Sequence, residues 1–145
     1  MMQKPEIILV DDHPLFRQVL KSFLSTENIA TVIGEASNGM EFVQLLPVLK
    51  PDLVIMDIDM PVMNGLEAIQ KALKLRPALK IVACTMFMEE ESYSKMIETG
   101  VKGIILKSSD ITEFEKAIKE VMMGNTFFPD RLLRSKNKVI VYPYL

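Results

Sequence analysis

Three acidic residues stand directly after two short apolar runs. Asp57 follows Leu53–Met56, and the pair Asp11 and Asp12 follows Ile7–Val10. Apolar runs of this length predict strands buried on both faces of a sheet. Ligands of an open parallel sheet bind just outside the carboxyl ends of such strands, so neighbouring strands would bring the three carboxylates into one crevice. Their mutual repulsion predicts that a cation neutralises the cluster or that one acid is chemically modified.

A hydroxyl and an amine complete this set of polar strand ends. Thr85 ends the fourth predicted strand, and Lys107 ends the fifth. In phosphoryl transfer a carboxylate can act as the nucleophile, and Mg²⁺ can bridge carboxylates and phosphoryl oxygens. A cation and a hydroxyl can hold the remaining oxygens. The five side chains together therefore favour phosphoryl chemistry on a carboxylate.

The chain alternates predicted strands with predicted helices. The strands are short apolar runs: Ile7–Val10, Thr31–Glu35, Leu53–Met56, Ile81–Thr85 and Gly103–Leu106. Five β/α units with short connections imply a parallel sheet covered by helices on both faces, and the commonest small topology has the strand order 2-1-3-4-5. We therefore predict a flavodoxin-like, doubly wound (βα)5 fold of the α/β class. In this order the first and third strands are neighbours, which brings the acids together.

The predicted helices rest on apolar residues at helical spacing and on their end signals. The first helix has Pro14 in its first turn, and the second has an apolar face over Phe42–Leu49 and is ended by Pro51. The third follows the turn pair Asn64–Gly65 and stops before Pro77, and the fourth covers Glu89–Thr99. The fifth runs from Ile111 to Met122, with Ser109 or Asp110 as its N-cap. The fourth helix has only a partial apolar stripe.

Composition excludes several classes of protein. The 145 residues are 49% apolar and 25% charged, with a net charge of −2, which is ordinary for one globular domain and argues against nucleic-acid binding by the domain itself. The single cysteine, Cys84, excludes an internal disulfide and suits a reducing cytoplasm. Early acids such as Glu6 and Asp11 interrupt any signal peptide, and no apolar run approaches the length of a membrane span. We therefore expect a cytoplasmic protein with no membrane contact.

The joint spacing of these motifs resembles a known family, the receiver domains of two-component response regulators. The resemblance covers Pro5–Asn125, and the motifs that carry it are Val10–Pro14 (VDDHP), Asp57–Gly65 (DIDMPVMNG), Thr85 and Leu106–Lys107. The Asp-Asp-His-Pro opening and the Met-Pro-Val-Met-Asn-Gly turn are most similar to the subfamily whose output is a helix-turn-helix (LuxR-type) DNA-binding domain.

This resemblance implies a role for each acid. Asp57 would accept a phosphoryl group from the phosphohistidine of a sensor histidine kinase or from a small acyl phosphate. Asp12 would bind Mg²⁺ (or Mn²⁺) directly and Asp11 mainly through water, with Asp57 and the backbone carbonyl of Asp59 as further ligands. Lys107 would pair with the carboxylate and then with the phosphoryl group. The chain would be a signalling domain that catalyses only its own phosphorylation and dephosphorylation.

The expected switch involves three positions. Thr85 would swing toward a phosphoryl oxygen and re-aim the loop after it and the weak fourth helix. Ile104 stands where many receivers have an aromatic residue coupled to the threonine, and Met86 stands where a small residue is common. The Met86 thioether is expected to shield the aspartyl phosphate from water and to prolong its life. Ser108 replaces a common cis proline, which leaves the isomer of the Lys107–Ser108 bond open.

The alternation of strands and helices stops after Asn125. We therefore expect a receiver domain over residues 1–125 and a linker or C-terminal tail over residues 126–145. A basic cluster follows, too small to bind DNA specifically alone: Arg131, Arg134, Lys136 and Lys138. Either the chain is a stand-alone receiver or an output domain follows it, and the subfamily resemblance favours the second. DNA would then be bound only through that domain, and phosphorylation could drive homodimerisation.

Parts of this pattern also occur in proteins with other functions. Asp57-Ile58-Asp59 also matches the Asp-x-Asp core of haloacid dehalogenase phosphatases, but that family binds Mg²⁺ with later acids, whereas Asp11 and Asp12 precede Asp57. A pseudo-receiver that acts purely as an interaction module would not need the full set of acids, threonine and lysine. His13, a lone histidine beside a helix that starts with proline, favours a structural role over a catalytic one.

Overall fold

The computed structural model describes residues 3–86 and 89–129 of the chain. Five parallel strands form one sheet in the order β2-β1-β3-β4-β5. The strands are β1 (Glu6–Val10), β2 (Thr31–Ala36), β3 (Leu53–Asp57), β4 (Lys80–Thr85) and β5 (Gly103–Leu106). The helices between and after them are α1 (Pro14–Thr26), α2 (Gly39–Leu45), α3 (Gly65–Leu75), α4 (Glu90–Thr99) and α5 (Ile111–Met122). The predicted doubly wound fold and its strand order are confirmed.

The central strands are buried on both faces, as their continuous apolar runs predicted. All residues of β3 are buried, and successive side chains enter opposite core clusters. Val54 and Met56 join the cluster beneath α2, α3 and α4, whereas Leu53 and Ile55 join the cluster beneath α1 and α5. β3 pairs with β1 on one side and β4 on the other, so its last residue, Asp57, stands at the middle of the sheet's carboxyl edge.

Asparagine and aspartate side chains start three of the helices. Asn38 Oδ1 accepts the backbone N–H of Glu41, and Asn64 Oδ1 accepts that of Glu67. Asp110 Oδ1 accepts the backbone N–H of Thr112, so Asp110 is the N-cap of α5. Each such cap satisfies a helix N–H that has no partner within the helix and contributes about 1 kcal/mol.

The predicted end of α2 at Pro51 is wrong. The helix ends at Leu45, with Leu46 as its C-cap. The cause is Pro47, which has no N–H to donate to the preceding turn, whereas Leu46 before it still has helical backbone angles. The remaining apolar residues of the predicted face still pack on the core, Leu46 as a buried residue and Leu49 at its margin.

The described chain continues beyond α5 as an extended segment beside the sheet. Phe127 donates its backbone N–H to Lys102 and accepts that of Ile104, each at 2.9 Å, next to an isolated bridge with Gly103. Residues 130–145, which include the basic cluster, lie outside the described residues, and the domain boundary at residue 125 stays a prediction. Within residues 3–86 and 89–129, none of the helices combines the length and hydropathy that crossing a bilayer requires.

Candidate functional site

Asp57 and Asp11 are held at the carboxyl ends of adjacent strands. Asp57 is the last residue of β3 and is 1% exposed, and Asp11, directly after β1, is 3% exposed. Backbone hydrogen bonds extend the sheet past both acids, because the Asp11 N–H donates to Ala36 and the Ile58 N–H donates to Cys84. The ladder therefore fixes the backbone at the point where each carboxylate leaves the strand. The two predicted acids are brought together as expected.

Lys107 places its ammonium between these carboxylates. Its Nζ lies 2.8 Å from Asp11 Oδ2 and 3.3 Å from Asp57 Oδ2. The Phe16 ring lies below, with its centroid 4.8 Å from Nζ, which is within reach of a cation–π contact. The Lys107 backbone N–H donates to the Thr85 carbonyl, so the β4 and β5 ends are tied together. The predicted pairing of Lys107 with Asp57 is present, and the contact with Asp11 is shorter.

Burial makes the Asp57 carboxyl a weaker acid than usual. Removal from water raises the pKa of Asp57 to about 6, and the nearby charge of Asp11 adds to the rise. The backbone N–H of Asp59, 3.1 Å from Asp57 Oδ1, and the Lys107 ammonium act in the opposite direction. For Lys107, burial alone would lower the pKa of its amine, but the Asp11 and Asp57 carboxylates outweigh it and raise that pKa.

Four side chains in this crevice have a spacing that suits a metal ion. One ligand atom from each of Asp11, Asp12, His13 and Asp57 lies within 4.8 Å of all the others. Asp12 Oδ1 is a buried oxygen that accepts no hydrogen bond from any described residue. A buried carboxylate oxygen without a donor fits a cation as its partner. The acidic cluster can therefore hold a metal. The expected role of the Asp59 carbonyl stays a prediction.

The switch positions lie where β4 and β5 meet α4. Thr85 is the last residue of β4 and is 4% exposed, whereas Met86, which follows it, is 50% exposed. Ile104 is completely buried and belongs to the same core cluster as Tyr93 and Met96 of α4. Tyr93 is the aromatic residue that α4 contributes to this cluster. In the described ranges no peptide bond is cis, so the Lys107–Ser108 bond is trans.

The loop from β3 to α3 closes tightly against the backbone at the end of β3. The Gly65 N–H donates to the Ile58 carbonyl at 3.0 Å, and a Cβ on Gly65 would lie 2.5 Å from the Asp57 carbonyl oxygen. Only glycine permits this approach of backbone to backbone. Val62 in the same loop has a φ of 68°, which is unusual for a β-branched residue, and its side chain is exposed. Nothing in the sequence around Val62 predicted that backbone conformation.

His13 is a residue of the site that the sequence interpretation missed. The histidine is the N-cap of α1, but its side chain forms no capping hydrogen bond within the described chain. Instead, its Nδ1 lies 2.8 Å from Lys107 Nζ and 3.4 Å from Asp12 Oδ1. The choice between a structural and a catalytic role for this histidine stays a prediction, but its side chain contacts the site. The adjacency of His13 to Asp12 places it near the acids, but no local pattern of the sequence indicates its contact with Lys107.

Comparison with known proteins agrees with this geometry. The family model of the response regulator receiver domain matches residues 7–119. The response regulator protein VraR of Staphylococcus epidermidis is 32% identical over 135 residues, which cover 92% of this chain and 65% of VraR. The chain thus spans about two thirds of the length of that relative.

Solved structures of response regulators have the same fold as this chain. The crystal structure of a LuxR-family two-component response regulator from Aurantimonas sp. SI85-9A1 superposes with a TM-score of 0.87 and 28% identity, over 94% of this chain and 99% of that one. The isolated REC domain of RcsB from Salmonella enterica serovar Typhimurium, in the presence of the phosphomimetic BeF3⁻, gives a TM-score of 0.82 and 26% identity, over 90% and 97% of the two chains. The chain therefore belongs to the response regulator receiver domain family, among the receivers of LuxR-type two-component regulators.

Proposed function

We propose that this receiver domain accepts a phosphoryl group on Asp57 from a sensor histidine kinase, in a reaction that depends on Mg²⁺. The observation that carries the proposal is a carboxylate at the open end of a central strand, with an ammonium 3.3 Å from one of its oxygens. The resulting aspartyl phosphate would be the signal. The domain would therefore act as a phosphorylation switch, and its only chemistry would be its own phosphorylation and dephosphorylation.

The site supplies a nucleophile and partners for the transferred group. An Asp57 oxygen would attack phosphorus while the bond from phosphorus to the kinase histidine nitrogen, or to the acyl oxygen of a small donor, breaks. A pKa of about 6 leaves Asp57 largely ionised at neutral pH, so the carboxylate needs no general base. Lys107 and, after its side chain turns, Thr85 would donate hydrogen bonds to the phosphoryl oxygens.

The acidic oxygens suit Mg²⁺, or Mn²⁺ in its place. Asp12 would bind the ion directly and Asp11 mainly through water, and Asp57 and the Asp59 carbonyl would complete the protein ligands. Hard cations take oxygen ligands of this kind, and Asp12 Oδ1 has no hydrogen-bond donor among the described residues. When bound, the ion neutralises the charge that develops on the transferred group.

The signal would leave the site through Thr85 and α4. A turn of Thr85 toward the phosphoryl group would move the chain after it, where Met86 begins the connection to α4. Ile104 shares its core cluster with Tyr93 and Met96 of α4, so a repacking there would reach the helix. The phosphoryl contacts would bias a pre-existing equilibrium of this segment.

Partners and output extend beyond the described chain. We propose residues 1–125 as the receiver and residues 126–145 as a linker or tail that leads to a DNA-binding output domain, since VraR is longer than this chain. DNA would be bound only through that domain, transcription would be the output, and phosphorylation would favour a homodimer. The cytoplasmic location expected from the sequence stays a prediction.

Labelling with acetyl phosphate tests the proposal. With Mg²⁺ present, the intact mass should rise by one phosphoryl group and then stop, whereas Asp57→Asn should gain none. Glu67→Gln is the matched control, because Glu67 is an exposed acid on α3 outside the crevice, and it should label like the wild type. An unlabelled wild type would favour an interaction module without phosphoryl chemistry. Continuous release of phosphate from an ester would favour a phosphatase instead.

A further inference from the structure

The Lys107 ammonium lies among more acceptor atoms than it has hydrogens. Within the described chain, its Nζ lies 2.8 Å from Asp11 Oδ2, 2.9 Å from Asp11 Oδ1, 2.8 Å from His13 Nδ1 and 3.3 Å from Asp57 Oδ2. A lysine ammonium has three N–H groups and no acceptor. The histidine contact is as short as the closer carboxylate contact, although His13 and Lys107 are 94 residues apart in the chain.

This contact determines where the imidazole carries its proton. Lys107 is charged beside two carboxylates and can only donate, so a nitrogen 2.8 Å from its Nζ must present a lone pair. The proton of neutral His13 therefore resides on Nε2. The alternative tautomer would direct an N–H from Nδ1 toward Asp11 Oδ1 at 3.3 Å or Asp12 Oδ1 at 3.4 Å, but it would also direct it against the ammonium. The shorter distance decides between the two.

The backbone around His13 is fixed, which holds the ring over the site. The following residue, Pro14, confines His13 to extended backbone, and its φ and ψ are −96° and 103°. The His13 N–H donates to Asp11 Oδ1 at 2.8 Å, and its carbonyl accepts the Arg17 N–H at 3.1 Å. The side chain is 63% exposed, so burial in the core does not explain its position.

We propose that His13 is a positioning residue that holds the Lys107 ammonium at the phosphoacceptor through an Nδ1 acceptor. The effect of this contact on phosphorylation rests on the proposed function. When a cation draws Asp11 away and a phosphoryl group is added to Asp57, His13 would remain as a neutral acceptor that keeps the amine beside the crevice. Lys107 then needs to redirect only its other N–H groups toward the phosphoryl oxygens.

The spectroscopic test needs no phosphorylation. His13 is the only histidine of the chain, so its imidazole ¹⁵N signals in the labelled full chain are unambiguous. For the neutral imidazole in metal-free buffer we expect an unprotonated Nδ1 and a protonated Nε2. Lys107→Met should shift the Nδ1 resonance, whereas Lys116→Met on the exposed side of α5 should not. A protonated Nδ1 in the wild type, or an Nδ1 signal that Lys107→Met leaves unchanged, would overturn the proposal.

The functional test separates the hydrogen-bond acceptor from the ring. Loss of one charge-assisted hydrogen bond, partly replaced by water, should slow acetyl phosphate labelling of His13→Ala about fivefold. His13→Asn should stay within about twofold of the wild type, because its Oδ1 can take the place of Nδ1. Equal rates for His13→Ala and the wild type, or equal slowing in both variants, would contradict the proposal. Failure of wild-type labelling would instead contradict the proposed function, and the NMR result would still stand.

Discussion

The amine of Lys107 lies closer to Asp11 than to Asp57, at 2.8 Å from the one carboxylate and 3.3 Å from the other. In this state Lys107 chiefly neutralises Asp11, and Asp57 is left with weaker compensation for its burial. The raised pKa of Asp57 has the same origin, since loss of solvent contributes most and the Asp11 charge adds to it. A cation that took over Asp11 would release Lys107 for the acceptor.

The Asp57 charge should cost stability above its pKa. Burial raises that pKa from 3.8 to about 6, so the carboxyl is protonated in both folded and unfolded chains at low pH and is ionised in both above about pH 6. Stability should therefore fall as pH rises between these values, by up to about 3 kcal/mol. We expect metal-free Asp57→Asn to be about 1–3 kcal/mol more stable than the wild type near pH 7.5 by urea unfolding. The difference should shrink near pH 4, and a less stable variant at neutral pH would contradict this account.

Removal of the divalent ion should lower the melting temperature. A ligand that binds only the folded chain stabilises it by mass action, so millimolar Mg²⁺ should raise the wild-type midpoint by about 2–5 °C relative to EDTA. Asp12→Asn should lose most of this increase, because Asp12 offers the buried oxygen without a hydrogen-bond donor. Glu115→Gln on α5 serves as the charge-matched control. An undiminished Mg²⁺ response in Asp12→Asn would rule out Asp12 as a ligand.

Gly65→Ala should damage the loop that packs against the backbone of Asp57 and Ile58. The added methyl would lie 2.5 Å from the Asp57 carbonyl oxygen and 2.6 Å from Ile58 Cα, and backbone atoms cannot retreat without moving the strand end. We expect a loss of about 1–3 kcal/mol in unfolding free energy together with slower acetyl phosphate labelling.

Gly34→Ala is the comparison for that variant. A Cβ on Gly34 would lie 2.7 Å from the end of the Leu49 side chain, and that side chain can rotate away. Gly34 lies on β2, away from the acids. Labelling should be unaffected there. Equal labelling rates in Gly65→Ala and Gly34→Ala would show that the close approach at Gly65 does not matter for the site.

Met86→Ala should shorten the life of the aspartyl phosphate. The side chain directly follows Thr85 and is half exposed, and we expect it to hinder the approach of water to the phosphoryl group. We expect dephosphorylation to accelerate about threefold to tenfold, equivalent to about 1 kcal/mol of barrier. Met123→Ala, an exposed methionine after α5, should not change the half-time. An unchanged half-time in Met86→Ala would remove Met86 from the account.

Local patterns determined much of the fold and the acidic part of the site. Asp11 and Asp57 follow short apolar runs, and parallel strands share one carboxyl edge. These two facts were enough to predict that the two acids lie together, as they do in the structure. The end of α2 was readable from Pro47 but was placed too late, at Pro51. The left-handed backbone of Val62 and the contact of His13 with Lys107 were beyond local patterns. Val62 lies in an irregular loop between β3 and α3, and the contact of His13 with Lys107 joins residues that are 94 positions apart in the chain.

Chemical mapping of the acceptor tests the central claim most directly. Borohydride reduces an acyl phosphate to the alcohol, so a phosphorylated aspartate becomes homoserine and is located by tandem mass spectrometry. After treatment of the full chain with acetyl phosphate and Mg²⁺, the account predicts homoserine at position 57 alone, and none when EDTA replaces Mg²⁺. Conversion at Asp11, Asp12 or Asp59 instead of Asp57, or no conversion in the presence of Mg²⁺, would contradict it.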